Sequence, residues 1–412
     1  MTTVTTVTTV PTSETAAAAP VITGIGVVAP NGVGVEDFWA NVLAGRSGLA
    51  PVTRFDATGY PVSQVGAVSD EAESLPNRIT VQTDRWTRLA MTATEEALRN
   101  AGIGAGGERD FDDYDLAVIT ASSSGGNEFG QREIERLWSA GPEYVSVYQS
   151  IAWFYAATTG QLSIRHGMRG PCGVVVAEQA GGLDALAQSR RMLRTGTKAV
   201  VTGGTEAALS PYALVCQSAG GQFTRGEYLP FDVRASGHVP GEGGAILVLE
   251  DESSARARGV SEVYGRVAGY AATFDPRPGS GRPGGLLRAI TGALADAGLR
   301  PSDVDVVFAD GAGTRERDAE EAAALAGVFG ARGVPVTVPK TMTGRLAAGG
   351  ASLDVACVLL AMRDGVLPPT VGVTELAHDL DLVSEPRPAR VRTALVLARG
   401  FGGFNSALVL TR

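Results

Sequence analysis

The chain has 412 residues, of which 44 % are hydrophobic and 19 % are charged, and its formal net charge is −9. This length predicts two halves that each bury a core, because a single core stops growing at roughly 250–300 residues. The acidic balance and the lack of a run rich in Lys and Arg argue against a nucleic-acid partner. No apolar run reaches the roughly 18 residues of a membrane-spanning helix and no signal-peptide pattern is present, so we expect a cytoplasmic protein without a membrane partner.

The cysteines give no sign of a cross-linked or metal-bound fold. Cys172, Cys216 and Cys357 are too widely spaced for a disulfide framework or a zinc site. We interpret all three as buried or incidental thiols, and we expect neither a metal nor a cofactor.

The folded part is expected to follow a disordered tail, since residues 1–20 repeat Thr-Thr-Val and then run through alanines. Residues 21–29 combine a strand pattern with G-x-G-x-x-A and so imitate a dinucleotide-binding fingerprint. However, Pro30-Asn31-Gly32 would interrupt the helix that must follow, and no second strand ends in an acidic ribose ligand about 20 residues further on. We therefore predict no dinucleotide site.

The rest of the chain alternates predicted helices and strands, which is typical of an α/β fold. In the first half we expect a helix at 36–44, a loop at 51–64, an amphipathic helix at 83–102, a buried strand at 116–121, a glycine-containing loop at 122–127, a short helix at 128–138, an aromatic-rich helical region at 144–166, a strand at 199–204, an irregular stretch at 211–240 and a strand at 244–250. The second half begins near residue 263 with helices at 285–297, 318–329 and 348–363 and strands at 304–309, 334–338, 393–398 and 406–411. Trp153, Phe154 and Tyr155 are expected in a core or a subunit interface.

Residues 174–193 predict a strand, a sharp elbow and a helix. In enzymes, such an elbow presents a nucleophile at its tip, beside a helix N-terminus that can hold an oxyanion. Here the tip is Gln179, and small residues follow it. A neutral amide cannot form an acyl-enzyme by the routes open to Cys, Ser or Lys, so the elbow lacks the atom that covalent catalysis needs.

Four further segments make the sequence resemble a known family. PFDVRASGHVPGEGGAILVLE (230–250), ADGAGTRERD (309–318), KTMTGR (340–345) and GFGGFN (400–405) fall in the order and at about the spacing of the β-ketoacyl synthases. The elbow AEQAGG resembles that of the chain-length factor, or ketosynthase β subunit, of bacterial type II polyketide synthases. The resemblance spans Val21 to Arg412 and implies a duplicated thiolase-like α/β fold with layers of helices and mixed sheets, divided into halves at 21–262 and 263–412.

The resemblance also implies that the catalytic positions have changed. Gln179 stands at the position of the family's nucleophilic Cys, Asp310 and Arg345 stand at those of its two His, and Lys340 is retained with Asp318 as its acidic neighbour. We therefore do not expect the chain to condense acyl groups alone.

No substitute catalytic set is predicted from the remaining residues. The histidines, His166, His238 and His378, do not occupy the catalytic positions, and we do not expect Cys172 to replace the nucleophile.

Two interpretations of Asp310 and Arg345 remain open. They are neutral drift in a dead site, or they form a buried, hydrogen-bonded ion pair that seals the former histidine pocket, since each charge alone would be costly to bury.

A chain-length factor is expected to pair with a ketosynthase α subunit, to receive a chain carried by an acyl carrier protein, and to border the tunnel along which the poly-β-ketone grows. By family position the tunnel face is Asn127, Gly130 and Ile134, which share one side of a helix. All three are smaller than an aromatic side chain, which predicts a deep tunnel and a long product. The alternative is that Gly130 permits close packing and Asn127 caps the helix.

Gln179 is expected either to promote decarboxylation of malonyl carrier protein or merely to fill the volume of the cysteine. Phe401 would be the family's gate, with its loop N–H contributing to the oxyanion site. The main rival function is a self-sufficient decarboxylase or condensing enzyme that acts as a homodimer. A thiolase-fold protein with an unrelated binding function is a third reading, which the intact segments 230–250 and 400–405 disfavour.

Overall fold

The computed structural model describes residues 19–73, 75–104, 111–277 and 279–412. Residues 1–18 of the predicted tail lie outside this range. The helices are α1 (Val35–Leu43), α2 (Asn77–Thr80), α3 (Arg85–Asn100), α4 (Asn127–Ser139), α5 (Gln149–Ala152), α6 (Ala157–His166), α7 (Gly181–Arg194), α8 (Pro211–Ser218), α9 (Glu252–Ala257), α10 (Leu286–Ala297), α11 (Arg315–Phe329) and α12 (Ala348–Asp364).

Strands from both parts of the chain join in one main sheet. They are β1 (Val21–Ala29), β2 (Gly32–Val33), β3 (Leu49–Pro51), β4 (Gln64–Gly66), β5 (Leu116–Ala121), β6 (Cys172–Val175), β7 (Ala199–Glu206), β8 (Gly243–Glu250), β9 (Gly265–Phe274), β10 (Val306–Phe308), β11 (Pro335–Thr337), β12 (Val366–Leu367), β13 (Asp381–Leu382), β14 (Arg387–Pro388), β15 (Thr393–Arg399) and β16 (Phe404–Thr411).

The main sheet of the described residues has 12 strands in the order β13-β11-β10-β15-β16-β9-β1-β8-β7-β5-β6, with β2 beside β1. Its centre is antiparallel, whereas β5, β6 and β7 at one end and β10, β11, β13 and β15 at the other pair in parallel. The expected alternation of helices and strands therefore produces two parallel wings. They are joined where Val21 of β1 pairs with Arg266 of β9.

The layers follow from the period-2 alternation of side chains along the strands. Leu247 and Leu249 of β8 pack in the cluster that contains α7 and α12, whereas Val248 between them packs on α3. In the second wing, Val396 of β15 likewise joins the central cluster, and Leu397 packs with α10 and α11. Both wings thus turn one face toward the same central helices, α7 and α12, which confirms the predicted layered thiolase-like fold.

The glycines of the dinucleotide-like segment serve packing. Gly24 and Gly26 lie inside β1, where a Cβ atom would come within 2.1 Å of the Ala97 carbonyl oxygen and 1.8 Å of the Ala93 carbonyl oxygen on α3. Helix and strand could not approach this closely with any larger residue. The absence of a dinucleotide turn at this position agrees with the sequence analysis.

Several local predictions need correction. The stretch 211–240 is not wholly irregular, because it begins with α8, which Ser210 caps by accepting a hydrogen bond from the Ala213 N–H at 3.3 Å. The aromatic-rich region 144–166 is broken into α5 and α6, and its Trp153, Phe154 and Tyr155 are about half exposed rather than in a core. Of the cysteines only Cys357 is buried. Within the described ranges, no helix is long and apolar enough to span a membrane.

Candidate functional site

The predicted elbow lines a cavity of about 260 Å³. It follows β6 as a single turn of 3₁₀ helix at Glu178–Ala180 and leads directly into α7. Glu178 adopts a left-handed backbone conformation with φ of 51°, which makes the turn sharp. The residues that line the cavity include Asn127, Glu178, Gln179, Cys216, His238, Ala347 and Phe401.

Gln179 is 7 % exposed and is held by the backbone of one residue. Its amide nitrogen donates to the Ala347 carbonyl oxygen at 3.1 Å, and its amide oxygen accepts from the Ala347 N–H at 3.2 Å, an orientation assigned from the hydrogen bonds themselves. Ala347 has φ of 45° and stands at the N-cap of α12, where its own side chain offers no capping group. Gln179 therefore satisfies two polar groups at the start of the central helix.

Glu178 occupies the backbone donor that the sequence analysis assigned to an oxyanion site. The N–H of Phe401 donates to Glu178 Oε2 at 2.7 Å, which ties the 400–405 loop to the elbow. Phe401 is 58 % exposed and lines the cavity, and its role as a gate stays a prediction. With a carboxylate already on this N–H, a second negative charge at the same place would be repelled.

Asp310 and Arg345 form the predicted buried ion pair. Arg345 Nη2 lies 2.9 Å from Asp310 Oδ1 and Nη1 lies 3.1 Å from Oδ2, a bidentate geometry. Arg345 also donates to the Asp310 carbonyl oxygen at 2.8 Å, and the Arg399 N–H donates to Asp310 Oδ1 at 2.9 Å. Burial opposes both charges, but their mutual attraction outweighs it, holding the pKa of Asp310 below its usual range and raising that of Arg345.

Lys340 has a different acidic partner from the one that the resemblance implied. Its Nζ lies 2.7 Å from Asp354 Oδ2 on α12 and donates to the Ala309 carbonyl oxygen at 2.7 Å. Asp318 instead accepts hydrogen bonds from the N–H groups of Phe231 and Gly313, each at 2.9 Å. Both lysine and aspartate thus hold the loops around Asp310 in place.

His238, which was not predicted to be a site residue, lies within the 230–250 segment and lines the cavity. Burial, reinforced by the charge of Arg345, lowers the pKa of His238 to about 3, so the imidazole is neutral near pH 7. Its Nδ1 is buried and has no hydrogen-bond partner within the described ranges. Cys216 of α8 also lines the cavity, whereas Cys172 lies on the exposed edge of β6. The segment's position in the family pattern was the available signal for His238.

The three predicted tunnel residues have three different surroundings. Asn127 is buried and lines the cavity, whereas Ile134, two turns along α4, is 47 % exposed. Between them, Gly130 is covered by Trp153, whose Cδ1 would lie 2.7 Å from a Cβ atom on Gly130. This contact shows that the face is not open at Gly130.

Asn127 does not cap α4 as the alternative proposed. Gly126 is the N-cap residue, and no side chain at that position makes a cap hydrogen bond. Asp84 caps α4 from outside, since its Oδ2 accepts from the Phe129 N–H at 2.7 Å.

Taken together, Gln179, Asp310, Arg345 and the Phe401 N–H each have a partner within this chain, so the site is internally paired. No cluster of His, Cys, Asp and Glu side chains able to hold a metal ion occurs in the part of the chain that the structure describes. Models of the β-ketoacyl synthase N-terminal domain and C-terminal domain match residues 19–255 and 264–374.

The most similar relatives narrow the assignment to one branch of this family. It is 57 % identical over 408 residues to the tetracenomycin polyketide synthase ketoacyl synthase beta subunit of Streptomyces glaucescens, covering 96 % of this chain and 99 % of that one. The solved ishigamide ketosynthase/chain length factor matches with a TM-score of 0.87 and 28 % identity over 95 % of this chain and 98 % of that one. The chain belongs to the β-ketoacyl synthase family, in the branch of ketosynthase β subunits or chain-length factors of type II polyketide synthases.

A third match shows a carrier protein beside a member of this fold. It is a type II polyketide synthase acyl-carrier protein in complex with its ketosynthase bound to the hexaketide, with a TM-score of 0.84 and 26 % identity over 95 % of this chain and 99 % of that one.

Proposed function

We propose that this chain is the non-condensing subunit of a type II polyketide synthase, pairing in the cytoplasm with a ketosynthase α subunit to complete its tunnel and set the length of the poly-β-ketone. The observation that carries this proposal is the internal pairing of every former catalytic position. Gln179 binds Ala347, Asp310 binds Arg345, and the Phe401 N–H binds Glu178. A site paired in this way supports a structural role beside a catalytic partner.

An unpartnered surface supports the pairing. β6 is the last strand at its end of the main sheet, and Val176 just beyond it is exposed. Exposed strand edges and large apolar patches are characteristic of surfaces that another chain covers. Residues 138–155 expose further large apolar side chains, which we call the aromatic face: Trp138, Tyr144, Val147, Ile151, Trp153, Phe154 and Tyr155.

The carrier protein enters as a second partner. The solved relative that holds an acyl-carrier protein and a hexaketide supports the expectation that the growing chain is delivered on such a carrier. In this proposal the α subunit performs the condensation, and this chain supplies the wall that the product meets.

Decarboxylation of malonyl carrier protein by this chain alone is a second candidate, because Gln179 lines the cavity. Two contacts weigh against it. Both polar atoms of the Gln179 amide are already used by Ala347, and the Phe401 N–H that would hold the developing enolate is used by Glu178.

Co-expression with an α subunit and a carrier protein, followed by mass spectrometry of the products, tests the proposal. Asn127→Phe adds bulk where α4 lines the cavity, one turn before Gly130, and should shorten the product while the two subunits still co-purify. Arg191→Lys on α7 serves as a control distant from α4. A chain that makes product or decarboxylates malonyl carrier protein without the α subunit would overturn the proposal in favour of the rival enzyme.

A further inference from the structure

The tunnel face contains one large side chain that comes from outside the α4 helix. The position of a Cβ atom on Gly130 is 2.7 Å from Cδ1, 3.2 Å from Nε1 and 3.5 Å from Cγ of Trp153. The pyrrole side of the indole therefore rests on the space that any larger residue at 130 would fill. The Trp153 side chain therefore fills the space that the missing side chain of Gly130 leaves on this face.

The backbone fixes where this indole stands. The Gly126 N–H donates to the Trp153 carbonyl oxygen at 3.1 Å, immediately before α4 begins. A Cβ atom on Gly125 would lie 2.5 Å from the same oxygen, so the glycine loop and the end of α5 approach as closely as the main chain permits. Trp153 is therefore anchored by its main chain while its side chain reaches over Gly130.

The indole stands between the cavity and the outer part of the face. Asn127, one turn before Gly130, lines the cavity beside Gln179, and Ile134, one turn after it, is exposed. A chain that follows this side of α4 away from the cavity meets Trp153 before it reaches Ile134. Half of the side chain, 51 %, is left uncovered by this subunit, so the indole is available to a chain passing along the subunit boundary.

We propose that Trp153 is the specificity-determining residue of this subunit: its indole, seated on Gly130, ends the tunnel and limits the length of the poly-β-ketone. This inference rests on the proposed function and reverses the expectation of an open face that the small residues at 127, 130 and 134 suggested. The indole offers a flat apolar surface against which a growing chain would stop.

The test uses the complete synthase, with this chain co-expressed with its α subunit and carrier protein, and reads both subunit pull-down and product length. Trp153→Ala should lengthen the main product by at least one extender unit while the pair still co-purifies. Trp138→Ala is the matched control, because Trp138 is an exposed tryptophan of the same aromatic face at the far end of α4. It should leave product length unchanged.

A smaller change guards against misfolding of the alanine variant. Trp153→Phe keeps an aromatic ring and should shift the distribution toward longer products to a lesser extent. An unchanged length in an intact Trp153→Phe or Trp153→Ala pair overturns the inference, as does loss of pairing in both variants, which would make Trp153 an interface residue only. If Asn127→Phe also leaves length unchanged in an intact pair, the proposed function itself fails.

Discussion

Removal of one partner of the Asp310–Arg345 pair should destabilise the fold strongly. In Arg345→Met, Asp310 stays buried at 2 % exposure and retains only the Arg399 N–H, at 2.9 Å, as a donor to its carboxylate. The cost of an uncompensated buried charge is about 3–5 kcal/mol. Asp310→Asn should cost less, because the guanidinium keeps the carbonyl oxygens of residue 310 at 2.8 Å and of Arg399 at 3.3 Å.

The double variant Asp310→Leu/Arg345→Met distinguishes an ion pair that seals the pocket from neutral drift of two independent residues. It removes both charges but leaves the Arg399 N–H and the residue 310 carbonyl without their present partners, each worth about 1–3 kcal/mol when buried. We therefore expect recovery to be partial, with the double variant less destabilised than the sum of the single variants by about 3 kcal/mol or more.

The assay is urea unfolding of the co-purified subunit pair, with a brief protease pulse that digests only the unfolded form of this chain. The measurement belongs at pH 7. Since Arg345 holds the folded pKa of Asp310 below the unfolded value of about 3.9, the stabilisation is complete above that pH and is lost as pH falls through the folded pKa. Single variants that each cost under about 1 kcal/mol, with an additive double variant, would refute the sealed-pocket argument.

Three further changes probe the neighbouring contacts. Gln179→Ala should raise hydrogen exchange at Ala347 and cost about 1 kcal/mol, because the Ala347 N–H loses its acceptor while the Ala347 carbonyl oxygen keeps the Gly350 N–H at 3.0 Å; unchanged exchange would show that the amide is not structural. Glu178→Ala should raise exchange at Phe401, whereas Glu178→Gln, which keeps an acceptor oxygen, should not; equal exchange in both variants would contradict the loop contact. Burial raises the pKa of both Asp84 and Glu206 to about 7, above their unfolded values, so stability should fall as pH rises from about 4 through 7, and Glu206→Gln should make that fall less steep; equal slopes for variant and wild type would argue against it.

The sequence predicts what is local or set by the order of motifs. The elbow and most strands and helices follow from hydrophobic period and glycine placement, although β9 was not predicted, and the Asp310–Arg345 ion pair was one of two interpretations that the sequence left open. Element ends differ by a few residues, as for the helix expected at 318–329 that begins at Arg315.

Contacts between distant segments are a different matter, because no local pattern specifies them. Glu178 meets Phe401 across 223 positions of the chain, and Lys340 turns to Asp354 rather than to Asp318. The cover of Gly130 by Trp153 depends on the path of the 144–166 region, which was predicted only as an aromatic-rich helical region and which the structure divides into α5 and α6. Small side chains in a sequence indicate space only when nothing else folds into it.

The retained framework and the lost chemistry have one physical explanation. A left-handed N-cap at Ala347, a loop N–H at Phe401 and a buried carboxylate at Asp310 each have a side-chain partner, and of these the Asp310 charge would be costly if left unpaired. Gln179, Glu178 and Arg345 are these partners. Each of the three side chains therefore stabilises a neighbouring segment of the same site. These contacts join the elbow to α12 and to the 400–405 loop, and the Ser123 hydroxyl of the glycine loop before α4 accepts from the Ala348 N–H at 3.0 Å. In the proposed function, the shape of this site, and not a reaction in it, positions α4 and Trp153 beside the product of the α subunit.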